Sequence, residues 1–151
     1  CDWTWHVYAM GDNDYKQQII NSASDVEGKL VFEHPQSDLT DIYQSAKINV
    51  MTSRNEGLPL SLIEAKAYGC VNVAFDCVTG PADIIRNEID GYLIDCFSVN
   101  EMADKIMNII NNDEIRQEMS LNGLKDLNRF SKDEVIKSWK HLIDNELKAF
   151  R

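Results

Sequence analysis

The sequence predicts an α/β domain, a parallel sheet flanked by helices, that gives way to a wholly helical C-terminal segment. Three observations predict it. Short apolar runs alternate with amphipathic stretches, the mark of strand–helix–strand units. Each apolar run is brief and nearly continuous, as strands buried on both faces tend to be. Beyond Asp95 the apolar residues recur only at helical spacing.

The elements follow in order. Strands are expected at Thr4 to Met10, Leu30 to Phe32, Ile48 to Thr52, Val71 to Phe75 and Tyr92 to Asp95. Between them, helical patterns fall at Tyr15 to Ser22, Leu39 to Ala46, Pro59 to Tyr68 and Pro81 to Arg86. Met102, Ala103, Ile106, Ile109 and Ile110 then stack on one helix face, behind a capping box of Ser98 and Glu101. A second capping box, Ser131 with Glu134, opens a last helix striped by Val135, Ile136, Trp139, Leu142, Ile143 and Leu147. No repeat, low-complexity run or Pro/Gly-rich linker marks an internal boundary, so residues 1–151 read as one domain. The start at Cys1, with no Met and no leader, reads as the edge of a fragment.

Composition excludes several functions. A formal net charge of −10, with a pI near 4.6, argues against nucleic acid and against a broad dock on anionic lipid. A small anionic ligand remains compatible, because a few amides and one helix terminus can hold a phosphate. The four cysteines, Cys1, Cys70, Cys77 and Cys96, show neither C-x-x-C spacing nor a histidine at a zinc-site interval. They read as reduced, mostly buried thiols, and no metal is expected.

The segment richest in chemistry runs from Ser53 through Ala65, SRNEGLPLSLIEA. It follows a buried strand and opens a helix, where parallel α/β sheets place their ligands. Gly57 leaves room for a close backbone approach, and Pro59 suits the first helical position. The amides of Gly57, Leu58, Leu60 and Ser61 would then point out of a positive helix end toward a phosphate. Glu56 sits in the loop and Glu64 inside the helix. Both can border one cleft, where carboxylates suit vicinal hydroxyls. Taken alone, such a pair is more often a solvated loop charge and an exposed helix glutamate.

With its neighbours, the run EGLPLSLIEAKAYG resembles the E-x7-E signature of retaining glycosyltransferases of family 4, which have the GT-B fold. VYAMGD, VFEHPQSDLTDIYQSAKINVMTSRNEG and VNVAFDCVTGPADIIRNEIDGYLID resemble the flanking segments in the same order, so the likeness covers roughly Trp5 to Ile110. The resemblance implies the Rossmann-like, donor-binding C-terminal half of such an enzyme. It implies that Glu56, the catalytic candidate, contacts hydroxyls of the donor sugar and Glu64 those of the ribose. Gly57, Leu58 and Leu60 would offer amides to the diphosphate or the sugar, and Gly11 would lie beside the donor. The loop of Glu33, His34 and Pro35 would border the nucleobase. Arg54 could reach a phosphate, with a salt bridge to a nearby carboxylate as its commoner fate.

The substrate implied is a nucleotide-diphosphate sugar, with no cofactor and no metal, and the acceptor a glycan or lipid-linked sugar. Family members bind that acceptor through an N-terminal half absent here, and carry a diphosphate-gripping Arg and Lys after an earlier strand also absent. These 151 residues alone are therefore expected to bind donor weakly and to transfer nothing. GPADII looks like enzymes of bacterial lipopolysaccharide or capsule assembly. Because the donors implied are cytosolic and family members often touch the membrane through that other half, the site implied is cytoplasmic, peripheral at the inner face of the membrane.

In GT-B enzymes the last helix often braces the missing half, so the stripe around Trp139 is an alternative surface for self-association. His6 and His141 read as structural or surface residues, Trp3, Trp5 and Trp139 as packing residues, and Asp76 as a turn former. The competing function is a non-catalytic α/β nucleotide-binding or regulatory module. A dehydrogenase would need G-x-G-x-x-G, which Met10-Gly11-Asp12-Asn13 does not supply, and no P-loop occurs.

Overall fold

The computed structural model describes residues 3–8, 14–23 and 29–149. Its contacts divide the chain into two units, Cys1–Thr40 and Asp41–Arg151.

In the first unit, β1 (Trp5–Tyr8) and β2 (Leu30–Glu33) pair in parallel, Trp5 opposite Leu30 and Tyr8 opposite Glu33. The helix α1 (Asp14–Ser22) lies between them in the chain, as a parallel connection requires. The ammonium of Lys16 sits 5.5 Å from the centre of the Phe32 ring. These strands are less buried than the sequence suggests: Trp5, His6 and Tyr8 are exposed and all of β2 is half-buried. Among the described residues this sheet has two strands. At the end of the unit Asp38 accepts the amide of Thr40, 2.9 Å away. That bond, with one from the Thr40 hydroxyl, holds the Asp38 carboxyl below its usual range.

The helix α2 (Thr40–Ser45) leads into the larger unit, whose strands are β3 (Ile48–Met51), β4 (Val71–Phe75) and β5 (Gly91–Ile94). They pair in parallel in the order β3-β4-β5. The helices α3 (Leu60–Ala67) and α4 (Pro81–Ile84) connect them, and α5 (Val99–Asn111), α6 (Asp113–Asp126), a 3-10 turn (Leu127–Phe130) and α7 (Lys132–Ala149) follow. Every residue of β4 is buried, and its alternation builds both layers. Val71, Val73 and Phe75 pack with Tyr92, Ile94, Met102, Ile106, Ile109 and Met119 on one face. Ala74 packs with Met51, Leu62, Ile84 and Ile85 on the other. Burying a side chain such as Leu62 or Ile84 is worth about 1.5–3 kcal/mol.

Two polar devices lock the second layer. Asn72, fully buried on β4, donates to the Leu62 carbonyl and accepts from Asn49, both at 2.9 Å, and so ties α3 to the sheet. Lys66, 1% exposed, carries its ammonium into a cage of the Ile84 carbonyl at 2.7 Å, Asp126 at 2.7 Å and Asp90 at 3.2 Å. Arg86 bonds Asp90 at 2.7 Å, and Arg129 bonds Asp126 at 2.8 Å and the Ile84 carbonyl at 2.9 Å. Burial alone would push the Asp126 carboxyl up. The hydrogen bonds from Lys66 and Arg129 outweigh it and hold the carboxyl below its usual range.

Other expectations are corrected. Ser98 precedes α5 but makes no side-chain cap bond, whereas the amide of Glu134 does reach the Ser131 hydroxyl at 3.4 Å. Ala103 faces outward, because the buried stripe of α5 runs through Met102, Ile106 and Ile109. Trp5, read as a packing residue, is 45% exposed, and Trp139 is 62% exposed, as its alternative reading within an uncovered stripe has it.

Replacing Lys66 by Met should destabilise the chain by about 1–3 kcal/mol, because Asp90 and Asp126 then lose their buried ammonium donor and keep only Arg86 and Arg129. Urea unfolding checks this, and a loss under about 1 kcal/mol, by the same scale, would mean the cage is not formed.

Candidate functional site

The segment with the richest chemistry lies at the C-terminal end of β3, in the loop that opens α3. Pro59 is the N-cap, with φ −72° and ψ 94°, so the helix starts one residue later than the sequence suggests. The ring still suits this place, having no N–H to leave unpaired. Among the described residues the amides of Gly57, Leu58, Leu60 and Ser61 have no backbone acceptor; the turn closes from Leu62 onto the Pro59 carbonyl at 3.0 Å. The first turn of α3 holds no acidic residue, so its positive end is uncompensated and suits an anion. A Cβ on Gly57 would meet nothing within 4 Å: this glycine keeps open space beside the loop rather than supplying a special backbone angle. Leu58 and Leu60 are exposed on either side of the cap.

Glu56 is half-buried in this loop, and its carbonyl accepts a hydrogen bond from the Thr79 hydroxyl. The next residue, Gly80, adopts φ +98° immediately before α4. A Cβ there would fall 2.5 Å from the Gly57 carbonyl oxygen and 2.6 Å from Cδ of Pro59. The β4–α4 turn is thus pressed against the β3–α3 loop.

Glu64 is exposed on α3, with Tyr43 of α2 as its neighbour. Burial, then the charge of Glu64, push the Tyr43 phenol up to about 12, so it stays a neutral donor; its hydroxyl lies 3.4 Å from the Ser61 carbonyl. The Tyr43 ring is stacked on that of Tyr68, 5.9 Å between centres. Arg54 makes no ion pair among the described residues, contrary to the fate expected of it. Its guanidinium lies 5.6 Å from the centre of the Phe97 ring instead. Phe97 has φ +71°, is 63% exposed, and leans on Phe75 at 6.1 Å.

Arg54, Glu56, Gly57, Leu58, Leu60 and Glu64 are therefore brought together by one strand–loop–helix unit. His34 belongs to the other unit, where it is exposed and its carbonyl accepts from Gln36 at 3.4 Å. Gly11 lies outside the described residues. His6 pairs with Glu33 at 3.5 Å, and Asp76 donates its amide to the Ile94 carbonyl at 2.7 Å. Cys70 and Cys77 are buried free thiols and Cys96 a half-buried one. Among the described residues no cluster of His, Cys, Asp and Glu could hold a metal ion. A cavity of about 390 Å³ lined by Glu88, Tyr92, Ile115, Met119 and Asn122 shares no residue with this loop.

Comparison with known proteins decides the family. The family described as "Glycosyl transferases group 1" matches residues 4–126, most of the chain. This chain belongs to the group 1 glycosyl transferases. It is 29% identical over 142 residues to the amylovoran biosynthesis glycosyltransferase AmsD of Erwinia amylovora, covering 93% of this chain and 40% of that protein. The chain thus spans less than half the length of that relative.

A Staphylococcus aureus TarM variant, solved with fondaparinux, α-GlcNAc-glycerol and UDP, superposes with a TM-score of 0.81 at 29% identity, over 92% of this chain and 28% of that one. The C-terminal domain of a group 1 family protein, LpcC from Francisella tularensis, superposes with a TM-score of 0.74 at 27% identity, over 89% of this chain and 71% of that one. The fold of this glycosyl transferase chain, parallel strands flanked by helices, is that of the C-terminal half of GT-B enzymes.

Sequence reasoning missed Tyr43, Thr79, Gly80 and Phe97 around this glycosyl transferase loop. The Gly80-Pro81 pair was a usable signal, since Gly before Pro marks a turn into a helix. The other three carry none, because their contacts join residues 18 to 43 positions apart. Gly80→Ala should cost more than about 1 kcal/mol, from the left-handed backbone and the clash with the Gly57 carbonyl. A melting temperature equal to the parent's would show that the two loops are not pressed together.

Proposed function

We propose that the chain is the donor-binding domain of a retaining glycosyltransferase of family 4, whose whole protein transfers a sugar from a nucleotide-diphosphate sugar to a glycan or lipid-linked acceptor. The observation that carries this reading is the β3–α3 loop: four amides without backbone acceptors at an uncompensated helix end, with Glu56 and Glu64 beside them. The amides of Leu58 and Leu60 donate to the diphosphate, which leaves with a growing negative charge, and the amide of Gly57 donates to the sugar. Fixed dipoles stabilise that charge without reorganising, and this electrostatic term is where such a site gains its rate. Glu56, the catalytic residue, takes hydroxyls of the sugar, and Glu64 takes the ribose diol. Arg54 adds a cation near the phosphates.

The UDP held by the TarM relative supports a nucleotide donor, and the AmsD relative supports assembly of a bacterial cell-surface polysaccharide. The reaction needs no metal in this reading. We place it in the cytoplasm, at the inner face of the membrane; no helix among the described residues is long and apolar enough to cross one.

Thermal-shift titration with UDP-, GDP- and ADP-sugars tests the reading, since a ligand at 100 times its Kd adds about 2.7 kcal/mol of stability. One nucleotide class should raise the melting temperature, and Glu64→Ala should abolish that rise while the unliganded melt is unchanged. Silence with every donor would overturn the reading.

The last helix carries a second proposal. Val135, Ile136, Trp139, Leu142, Ile143 and Leu147 are all between 40% and 62% exposed along one side of α7. We propose that this stripe drives self-association. Light scattering after size-exclusion chromatography should show dimers that Trp139→Glu dissolves; a strict monomer at high concentration rules the idea out.

A further inference from the structure

The β3–α3 loop has little holding it in shape. Among the described residues, no backbone–backbone hydrogen bond involves residues 53–58, so nothing in the loop's own main chain fixes the direction of Glu56. The main-chain tether it does have comes from the neighbouring turn: the Thr79 hydroxyl donates to the Glu56 carbonyl. Beside it, Gly80 is packed so closely that a single added carbon would strike the Gly57 carbonyl and the Pro59 ring.

That turn is itself rigid. Gly80 accepts the amide of Asp83 at 3.1 Å, Pro81 accepts that of Ile85 at 2.8 Å, and Pro81 and Ile84 are buried. The Ile84 carbonyl is gripped by both Lys66 and Arg129. A fixed turn thus holds a loose loop through one hydroxyl.

We infer that Thr79 is a positioning residue for the sugar end of the site: its hydroxyl, fixed by the β4–α4 turn, holds the Glu56 main chain so that the Glu56 carboxylate meets the sugar hydroxyls of the donor. This rests on the donor-binding reading above and deepens it. The hydroxyl acts at Glu56, eight positions before the ribose candidate Glu64, which sits on a helix secured separately through Asn72 and the Leu62 carbonyl. Its effect therefore falls on the sugar and spares the nucleotide. Thr79 is also exposed, so removing its hydroxyl leaves no buried polar group behind.

The test compares two ligands on the same chain, using whichever of UDP-glucose, UDP-galactose, UDP-N-acetylglucosamine, GDP-mannose and ADP-glucose binds best, beside its own nucleoside diphosphate. With Thr79→Val, calorimetric affinity for the nucleotide sugar should fall roughly three- to tenfold, the size of one net hydrogen bond, while that for the nucleoside diphosphate holds. Thr79→Ser, which restores the hydroxyl, should recover the parent's ratio of the two affinities. Equal losses for both ligands, or no loss for either, would overturn the positioning role and leave the donor reading standing. A parent chain that binds none of the five overturns the donor reading, and this inference with it.

Discussion

The buried ammonium of Lys66 is the constraint on which the rest of the larger unit depends. A cation this deep is tolerable only with its hydration replaced in full, and here a carbonyl and two carboxylates replace it. Those partners come from distant stretches of chain: Lys66 from α3, Ile84 from α4, Asp90 from the turn before β5, and Asp126 from the end of α6. None of the four can move without stranding a charge. Gly123 of α6 belongs to the same arrangement, since a Cβ there would come within 3.3 Å of Cγ of Lys66. The cage is a geometric clamp more than a source of stability, for an apolar cluster of equal volume could be as stable.

From that clamp the positions pass outward to the loops. With α3 pinned by Lys66 and by Asn72, its N-terminus has one place to point, past the C-terminal end of β3. With the Ile84 carbonyl gripped, α4 and the turn before it are pinned too, and Thr79 and Gly80 hold the loop of Glu56. Interior polar groups that cost much to bury thus place exposed polar groups that face a ligand. The ligand-facing residues are loosely packed by nature, since a surface that must bind cannot first fill itself.

Charge is arranged on two scales. The chain as a whole is strongly acidic, with a formal net charge of −10, and would repel a polyanion. Locally the arrangement differs: the first turn of α3 has no carboxylate of its own, and among the described residues Arg54 stands over the Phe97 ring and pairs with no acid. The backbone of Phe97 lies in the left-handed region that bulky residues avoid, a cost of order 1–3 kcal/mol that the surrounding fold must sustain. Fixed dipoles suit one small anion at short range, and the net charge of the chain discourages long ones.

By itself the sequence determined the alternation of strands and helices, the buried character of β4, whose limits Val71 and Phe75 agree with the structure, and the strand–loop–helix that carries Glu56 and Glu64. These follow from periodicity and turn chemistry, which act between near neighbours and are therefore written locally. Lys66 was not legible: in EAKAYG it looks like any lysine on a helix, and its partners lie 18, 24 and 60 residues away. Nor was the exposure of Trp5, which depends on what the rest of the chain leaves uncovered, or the open cap at Ser98, whose side chain makes no cap bond although its sequence pattern is right. Which residues share a loop was decided by local rules. Which distant groups meet, and so which hydroxyl holds Glu56, only the tertiary structure decided, because a contact across many residues depends on the packing of everything between them.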